Sequence, residues 1–305
     1  MSPSAPDTDS TLRAGRPRAS EMISARILAA CLLFIVAGGC TDNPFESGEP
    51  VNGSMRRVSG SVVLDGQADH SGALLWLEGF GTATVSGSDG RFALLLPPSS
   101  LQTTPGGVNG IFNLYAFLGN YRPVAIRTAV RNGTFSFPTE SIDETGLVRN
   151  PMFMQELFTT ETVLSRGSIE EDSPRVITLT VYLRTRTTGT EVFFPRIHNG
   201  VEGPIVLHNL ETGEARVMKT VVTGVEQSDY IKLGAVPYAR MMMLIIPKGT
   251  MKAGRYEILP YILPQRQSVP IELLNSITAN VSDLGPAYAL YPMRRGGGIL
   301  TVVPN

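Results

Sequence analysis

Cysteine is scarce in this sequence, which has only two among its 305 residues, Cys31 and Cys40. Cys31 lies inside a hydrophobic run near the N-terminus, and Cys40 follows that run directly. If the run is removed as a leader, Cys40 remains as the only cysteine of the chain, so no intramolecular disulfide can form. A zinc site that needs several thiolates is excluded for the same reason.

Histidine is also rare, and charge of one sign does not dominate. His70, His198 and His208 match no HExxH or HxH spacing, and no GxSxG turn is present. We interpret the histidines as loop or surface residues, with a catalytic triad assembled only in the fold as the alternative. The chain has 26 Lys plus Arg against 27 Asp plus Glu, a balance that predicts no nucleic-acid partner.

Carboxylates near turns are the remaining metal-ligand candidates. Ca²⁺ prefers several oxygen ligands, but no carboxylate group here has EF-hand spacing. The SGSDG sequence before Arg91 lacks the lysine of a phosphate-binding loop. We therefore predict no metal site and no cofactor, and we interpret the following acidic residues as solvated: Asp65, Asp69, Asp89, Glu170, Glu171 and Asp172.

The N-terminal hydrophobic run has the features of a secretory signal. Ile27–Val36 reads ILAACLLFIV, with Arg26 before it and the small residues of AGGC after it. The run is shorter than the roughly 20 residues that span a bilayer. We predict that residues 1–39 are a leader, and we expect the functional start at Met22 because the segment before it is long and polar.

The end of this leader, VAGGC, resembles the lipobox of bacterial lipoproteins, although Ala37 stands where the family usually has Leu. The resemblance implies cleavage before Cys40 and a membrane anchor of acyl chains, including palmitate, on that cysteine. Residues 40–56 then form a polar tether. Thr41 follows the cysteine, where Asp usually marks inner-membrane retention in the family, so we expect the outer membrane as the location.

Beyond the tether, short alternating runs rich in β-branched residues are closed by Gly, Asp, Asn or Pro. This pattern, with 31 Gly and 22 Pro, predicts an all-β chain of many short strands. Hairpin turns are expected at Asp89-Gly90, at Asn132-Gly133 and at Glu211–Gly213. Residues 267–285 are ambiguous, because Leu274 and Ile277 also fit helical spacing.

The first part of this region resembles the carboxypeptidase regulatory-like domain. The resemblance lies in GSVVLDG, LLWLEG and TVSGSDGRFALLLP, at Val62, Leu64, Leu75, Leu77, Gly90 and Phe92. It implies a small transthyretin-like β-sandwich over residues 57–137, without catalytic residues. We expect a connecting segment at 138–173 and a second β-sandwich at 174–305, in which KAGRYEI resembles a strand of immunoglobulin-like modules.

Apolar residues offer two binding-surface candidates, each with a structural alternative. Five aromatic residues could stack on a sugar, but their alternation favours a sandwich core: Trp76, Phe80, Tyr115, Phe117 and Tyr121. Met241–Met243 is interpreted as a buried strand. Met152–Met154 either seals a contact between domains or forms an exposed patch for a protein partner. Pro98–Gly110 is a candidate binding loop.

Together these observations predict a lipid-anchored, two-domain, all-β envelope protein. The expected role is a non-enzymatic binding or structural module with a protein or glycan partner. A carbohydrate-binding lipoprotein of an outer-membrane uptake system is the first alternative, which an exposed aromatic strip would support. A hydrolase with an atypical site is the second, and it needs a pocket that joins a histidine, a carboxylate and a serine.

Overall fold

Strands dominate the computed structural model, which confirms the predicted all-β class. Asn52–Asn305 forms one compact unit. The finer division into two sandwich domains stays a prediction. The predicted leader, Cys40 and His198 lie outside the described residues, which are 53–187, 189–195, 202–223, 230–265, 269–277 and 285–305.

The N-terminal half contains two sheets, of strand orders β4-β1-β8 and β3-β2-β5-β6-β7. Single 3₁₀ turns, Gly53–Arg56 and Ser99–Leu101, lie before β1 and after β4. The strands are β1 (Arg57–Leu64), β2 (Leu74–Leu77), β3 (Thr82–Val85), β4 (Arg91–Leu95), β5 (Gly110–Phe117), β6 (Val124–Arg131), β7 (Thr134–Ser136) and β8 (Met152–Met154).

Turn residues fix two of the three predicted hairpins; the third prediction is wrong, because β3 and β4, on either side of Asp89-Gly90, belong to different sheets and this turn joins no hairpin. Asn132 and Gly133 both have positive φ, which is what a type I′ turn requires, and β6 pairs with β7 across them. Gly90 has φ of +78°, and a Cβ there would collide with the Val62 carbonyl oxygen, so only glycine fits. Gly213, at φ of +72°, closes the hairpin between the strands on either side of it.

The C-terminal half contains a nine-stranded and a three-stranded sheet, of orders β10-β20-β17-β13-β14-β16-β11-β9-β19 and β15-β12-β18. Its strands are β9 (Phe158–Leu164), β10 (Ser168–Glu170), β11 (Arg175–Thr185), β12 (Glu191–Phe193), β13 (Glu202–Asn209), β14 (Ala215–Thr223), β15 (Tyr230–Lys232), β16 (Tyr238–Ile246), β17 (Gly254–Pro260), β18 (Leu263–Pro264), β19 (Gly296–Gly297) and β20 (Ile299–Val303).

Helical structure is short in the described ranges. Helix α1 (Ile271–Ile277) confirms the helical alternative for that stretch, and a 3₁₀ helix follows at Pro286–Leu290. Leu273 is the buried residue of α1. None of the helices in these ranges is long and apolar enough to cross a bilayer.

Buried apolar side chains divide into two clusters. The N-terminal cluster comes entirely from the first two sheets and the segment up to Met154. The C-terminal cluster lies on the later sheets, but it also includes Trp76 of β2 and Phe117 of β5. The five-stranded sheet therefore contributes to both clusters, one from each of its faces.

The segment that follows β7 belongs to the fold rather than to a simple connection. Strand β8 pairs in parallel with the end of β1, joining Val62 to Met152 and Leu64 to Met154. Met152 and Met154 are buried in the N-terminal cluster, whereas Phe153 between them is 56% exposed. Alternation along the strand accounts for this division of the MFM sequence.

The C-terminal tail is bound to the N-terminal half by a polar and aromatic contact. The Asn120 amide is buried; its nitrogen donates to the Phe158 and Arg294 carbonyls, and its oxygen accepts from the Arg294 N–H at 3.0 Å. The Gly119 N–H donates to the Pro292 carbonyl. A Cβ at Gly119 would lie 2.5 Å from the Tyr291 ring, so the contact requires glycine.

Candidate functional site

The three-stranded sheet β15-β12-β18 presents two aromatic rings outward. Strand β12 pairs with β15 so that Phe193 lies opposite Tyr230 and Glu191 opposite Lys232. Alternation turns Val192 and Ile231 inward, where both are buried, and directs their neighbours to the outer face. The Phe193 and Tyr230 rings stack with centroids 4.7 Å apart and planes 29° apart.

A small recess opens beside this aromatic pair. It has a volume of about 350 Å³ and is lined by Glu191, Tyr230, Lys232 and Gln265. The Gln265 N–H donates to the Glu191 carbonyl at 2.9 Å, which fixes the end of β18 against β12. Tyr230 is 61% exposed, so much of its ring surface is accessible from solvent. We call these residues and Phe193 the aromatic recess.

The recess lies on a firmly held strand. Phe194, next to the outward Phe193, is buried in the C-terminal cluster. The guanidinium of Arg240 lies 4.6 Å from the centre of the Phe194 ring, a cation–π contact inside the fold. This contact fixes the inner side of β12 and therefore positions the outer side.

The chemistry of the aromatic recess is that of recognition. A stacked tyrosine and phenylalanine offer a flat apolar surface with a hydroxyl at its edge. Glu191, Lys232 and Gln265 add a carboxylate, an ammonium group and an amide around that surface. A few polar groups beside an apolar surface can orient a small ligand.

The aromatic residues considered in the sequence are placed elsewhere. Trp76, Phe117 and Tyr121 are at most 3% exposed, which confirms their interpretation as core. Phe80 and Tyr115 are half-buried and pack against one cluster each. Met241–Met243 is part of β16, as predicted, but only Met242 is fully buried, because alternate residues of the strand face outward.

His70 and His208 are the two histidines in the described part of the chain, and each has a different side-chain contact. His70 accepts a hydrogen bond at Nδ1 from the Leu64 N–H at 3.1 Å, which stabilises the turn after β1. His208 lies on β13, with its Nδ1 3.6 Å from the Glu257 carboxylate on β17. In the part of the chain that the structure describes, no group of three or more His, Cys, Asp or Glu side chains is arranged to hold a metal ion.

Most of the acidic candidates lie beside cations. Glu170 lies 3.2 Å from Arg175 and Glu171 lies 3.7 Å from Lys252. Asp69 accepts hydrogen bonds from the Ser71 backbone and side chain and lies 3.1 Å from Arg294; these contacts hold the pKa of the Asp69 carboxyl below its usual value. Asp89 lies beside Arg91 at 3.5 Å.

A buried polar cluster lies where β8, β9 and the turn after β1 meet. The Tyr121 hydroxyl donates to the Glu156 carboxylate at 3.3 Å, and both side chains are buried. Arg186 lies 3.9 Å from the other Glu156 oxygen. Burial, and then the charge of Glu156, raises the pKa of Tyr121 to about 12. The neutral tyrosine serves here as a structural hydrogen-bond donor.

Side-chain hydrogen bonds of Gln102 and Asn109 hold the candidate binding loop Pro98–Gly110 in place, and the Asn109 Oδ1 accepts from the Asn132 N–H at 2.9 Å. The Gln102 amide donates to the carbonyls of Pro97 and Gly133 and accepts from the Val108 N–H. Leu101 beside it is 75% exposed. Loss of Gln102 would therefore disturb the β6–β7 turn as well as the loop.

The aromatic recess itself escaped sequence reasoning. Phe193 lies in a predicted strand, but Tyr230 is far from it along the chain, and only strand pairing brings the two rings together. The available signal was the pair Phe193-Phe194, since alternation directs one of two adjacent aromatics outward.

No protein-family model matches the chain, and comparisons with curated proteins and with solved structures likewise found no significant match.

Proposed function

We propose that this chain is a lipid-anchored cell-envelope protein that acts as a non-enzymatic binding module through the aromatic recess. The anchor is the acylated Cys40 implied by the lipobox resemblance, with the outer membrane as the location. The body is the all-β unit that follows, and its partner is a protein or glycan of the envelope.

The observation that carries the binding proposal is the stacked Phe193–Tyr230 pair on the β15-β12-β18 sheet, with Tyr230 61% exposed. A stacked aromatic pair with an exposed tyrosine, beside Glu191, Lys232 and Gln265, favours a glycan ligand, because sugars present apolar ring faces and a rim of hydroxyls. This supports the carbohydrate-binding alternative over a hydrolase.

A glycan array with envelope oligosaccharides tests the recess. Tyr230→Ala removes half of the aromatic pair, and we expect at least a tenfold loss of retention, in line with the cost of truncating a central aromatic contact. Phe153→Ala is the matched control, since Phe153 is similarly exposed but lies on β8. Its retention should match that of the unchanged protein.

Two results would contradict the glycan ligand. The first is an array on which the protein binds no glycan, together with chemical crosslinking in cells that captures a protein with the unchanged chain but not with Tyr230→Ala. The partner is then a protein. The other is equal binding by the Tyr230→Ala and unchanged proteins, which places the ligand outside the recess. Turnover of a bound oligosaccharide would overturn the non-enzymatic role.

The anchor has its own test. Cys40→Ala removes the only thiol that the lipobox resemblance assigns for acylation. Cells fed radiolabelled palmitate should label the unchanged protein and leave the variant unlabelled and uncleaved. Label on the Cys40→Ala protein would refute the anchor hypothesis and would not affect the proposal that the aromatic recess binds a ligand.

A further inference from the structure

An open groove of about 710 Å³ runs along the outer face of the β4-β1-β8 sheet. Residues paired across a sheet share a face, and here Arg57 pairs with Leu95, Ser59 with Ala93 and Ser61 with Arg91. A bridge between Ser59 and Leu147 brings the segment before β8 onto the same face. We call this surface the arginine groove.

Three cations and several hydroxyls characterise the groove. Arg57, Arg91 and Arg149 all line it and are exposed, and Ser59 and Ser61 lie between them. Its lining residues include no carboxylate. Guanidinium groups are the side chains best suited to bind phosphate, because their planar donors fit two phosphate oxygens at once.

Two carboxylates lie close to the groove without lining it. Asp89 pairs with Arg91 at 3.5 Å, with both side chains more than half exposed, so that pair is easily exchanged for another anion. Asp143 accepts hydrogen bonds from the Thr145 hydroxyl and from the Thr145 and Leu147 N–H groups within its own turn. These bonds, and more weakly the charge of Arg149, lower the pKa of the Asp143 carboxyl.

Exposed apolar side chains accompany the arginines on this face. Leu95 is 59% exposed, Leu147 47% and Val85 56%, and Val85 and Leu147 line the groove. Phe153, 56% exposed, pairs with Val63 farther along the same face. Arginines interspersed with exposed apolar residues match the boundary between lipid headgroups and acyl chains.

The sequence also places this face near a membrane. Only residues 41–52 separate the proposed anchor, Cys40, from the start of the described chain at Gly53. A segment of that length spans at most about 40 Å when fully extended. Strand β1, which carries Arg57, begins four residues later, so the groove lies within reach of the bilayer surface.

We propose that the arginine groove binds the phosphate groups of anionic phospholipids and holds the β4-β1-β8 face against the membrane surface. The proposal rests on the lipid-anchored part of the proposed function, because the anchor keeps the groove near a bilayer. A soluble phosphate ion offers the same charge without the acyl chains that Leu95 and Leu147 would meet.

Vesicle sedimentation tests the groove without the anchor. The protein used is Thr41–Asn305, which keeps the whole compact unit Asn52–Asn305 and both core clusters. We expect it to bind phosphatidylcholine vesicles only when they contain phosphatidylglycerol. Each of R57Q, R91Q and R149Q should lower the partition coefficient about fivefold, and the triple variant about a hundredfold.

The matched control carries R127Q, R166Q and R255Q, three exposed arginines outside the groove. It changes net charge equally and should bind as the unchanged protein does, with equal melting temperatures throughout. The proposal is overturned if the groove triple variant retains binding, if the control variant loses binding equally, or if the protein binds vesicles of pure phosphatidylcholine. Displacement by inorganic phosphate at the concentration of vesicle phosphate also overturns it, by showing a soluble-phosphate site.

The two proposals fail separately. Palmitate labelling of the Cys40→Ala protein refutes the anchor hypothesis but does not affect the vesicle result. Vesicle binding that does not depend on phosphatidylglycerol or on the groove arginines refutes the groove proposal and does not affect the proposed acylation of Cys40.

Discussion

The two hydrophobic clusters of this protein differ in how they are completed. The N-terminal cluster is built from strands β1–β8 and the loops between them, so a contiguous stretch of chain supplies all of it. The C-terminal cluster needs Trp76 and Phe117 from the five-stranded sheet as well as Tyr288 and Tyr291 from the tail. The first cluster is self-contained and the second is not.

The difference follows from the two faces of one sheet. On β2, Leu75 and Leu77 face the N-terminal cluster, whereas Trp76 faces the other way. Phe117 at the end of β5 packs edge-on against the Tyr291 ring, with centroids 5.8 Å apart. A sheet with apolar residues on both faces must be covered on both sides. The N-terminal half therefore covers itself on one side and depends on the C-terminal half on the other.

Separation of the halves should have the largest effect. A chain of residues 155–305 lacks Trp76, Phe117 and the Asn120 contact, so we expect it to have no cooperative unfolding transition. Residues 53–154 keep the whole N-terminal cluster and should unfold cooperatively, at a lower temperature than the complete protein. Circular dichroism during heating measures both. Cooperative melting of the 155–305 chain would show that the C-terminal cluster is self-contained after all.

Truncation of one shared aromatic should have the next largest effect. Phe117→Ala removes a fully buried ring from the C-terminal cluster, at a cost of about 3–5 kcal/mol in the free energy of unfolding. Ile111→Ala, on the same strand but 71% exposed, should cost less than about 0.5 kcal/mol. Urea unfolding gives both values. Similar values for the two variants would mean that Phe117 does not join the halves.

Removal of the buried amide should be milder. Asn120→Ala leaves the Arg294 N–H and the Phe158 carbonyl without their partner, at a cost of about 1–3 kcal/mol. Asn113→Ala is the control: its amide is half-buried and bonds Glu78 within the N-terminal half. Hydrogen exchange at the Arg294 amide should rise only in the Asn120 variant. Unchanged exchange there would contradict a tail held by Asn120.

The smallest effect is confined to alkaline solution. The pKa of Tyr121 is raised to about 12, so the folded state keeps this proton at pH values where the unfolded chain releases it. Stability from Tyr121 is therefore complete below about pH 10 and is lost as pH rises toward 12. Tyr121→Phe should reduce this loss in urea unfolding at pH 9–12. Burial also raises the pKa of Tyr291, which leaves part of the loss in place.

Local features of the fold were predictable because local residues determine them. Alternation predicted β11 and β16, and the pair Asn132-Gly133 predicted the β6–β7 hairpin, since both residues tolerate positive φ. The interpretation of Trp76 as core also followed from its apolar neighbours on β2.

Contacts distant in sequence were not predictable. Asn120 and Arg294 are 174 residues apart, and no local sequence pattern at either residue indicates that the two are in contact. The parallel pairing of β8 with β1 was missed because MFM is too short to show a period. Phe193 and Tyr230 were missed as a site for the same reason: their stacking depends on which strands become neighbours, and register is a property of the whole sheet.

The tail contact also bears on how folding is completed. Tyr291 follows Phe117 by about 170 residues, so the contact between their rings closes a long loop of chain, which costs conformational entropy. Contacts so distant in sequence form slowly, because this cost is met before the contact adds any stability. We therefore expect the tail to dock late in folding, and apolar surface that waits for it on the five-stranded sheet to favour aggregation until then.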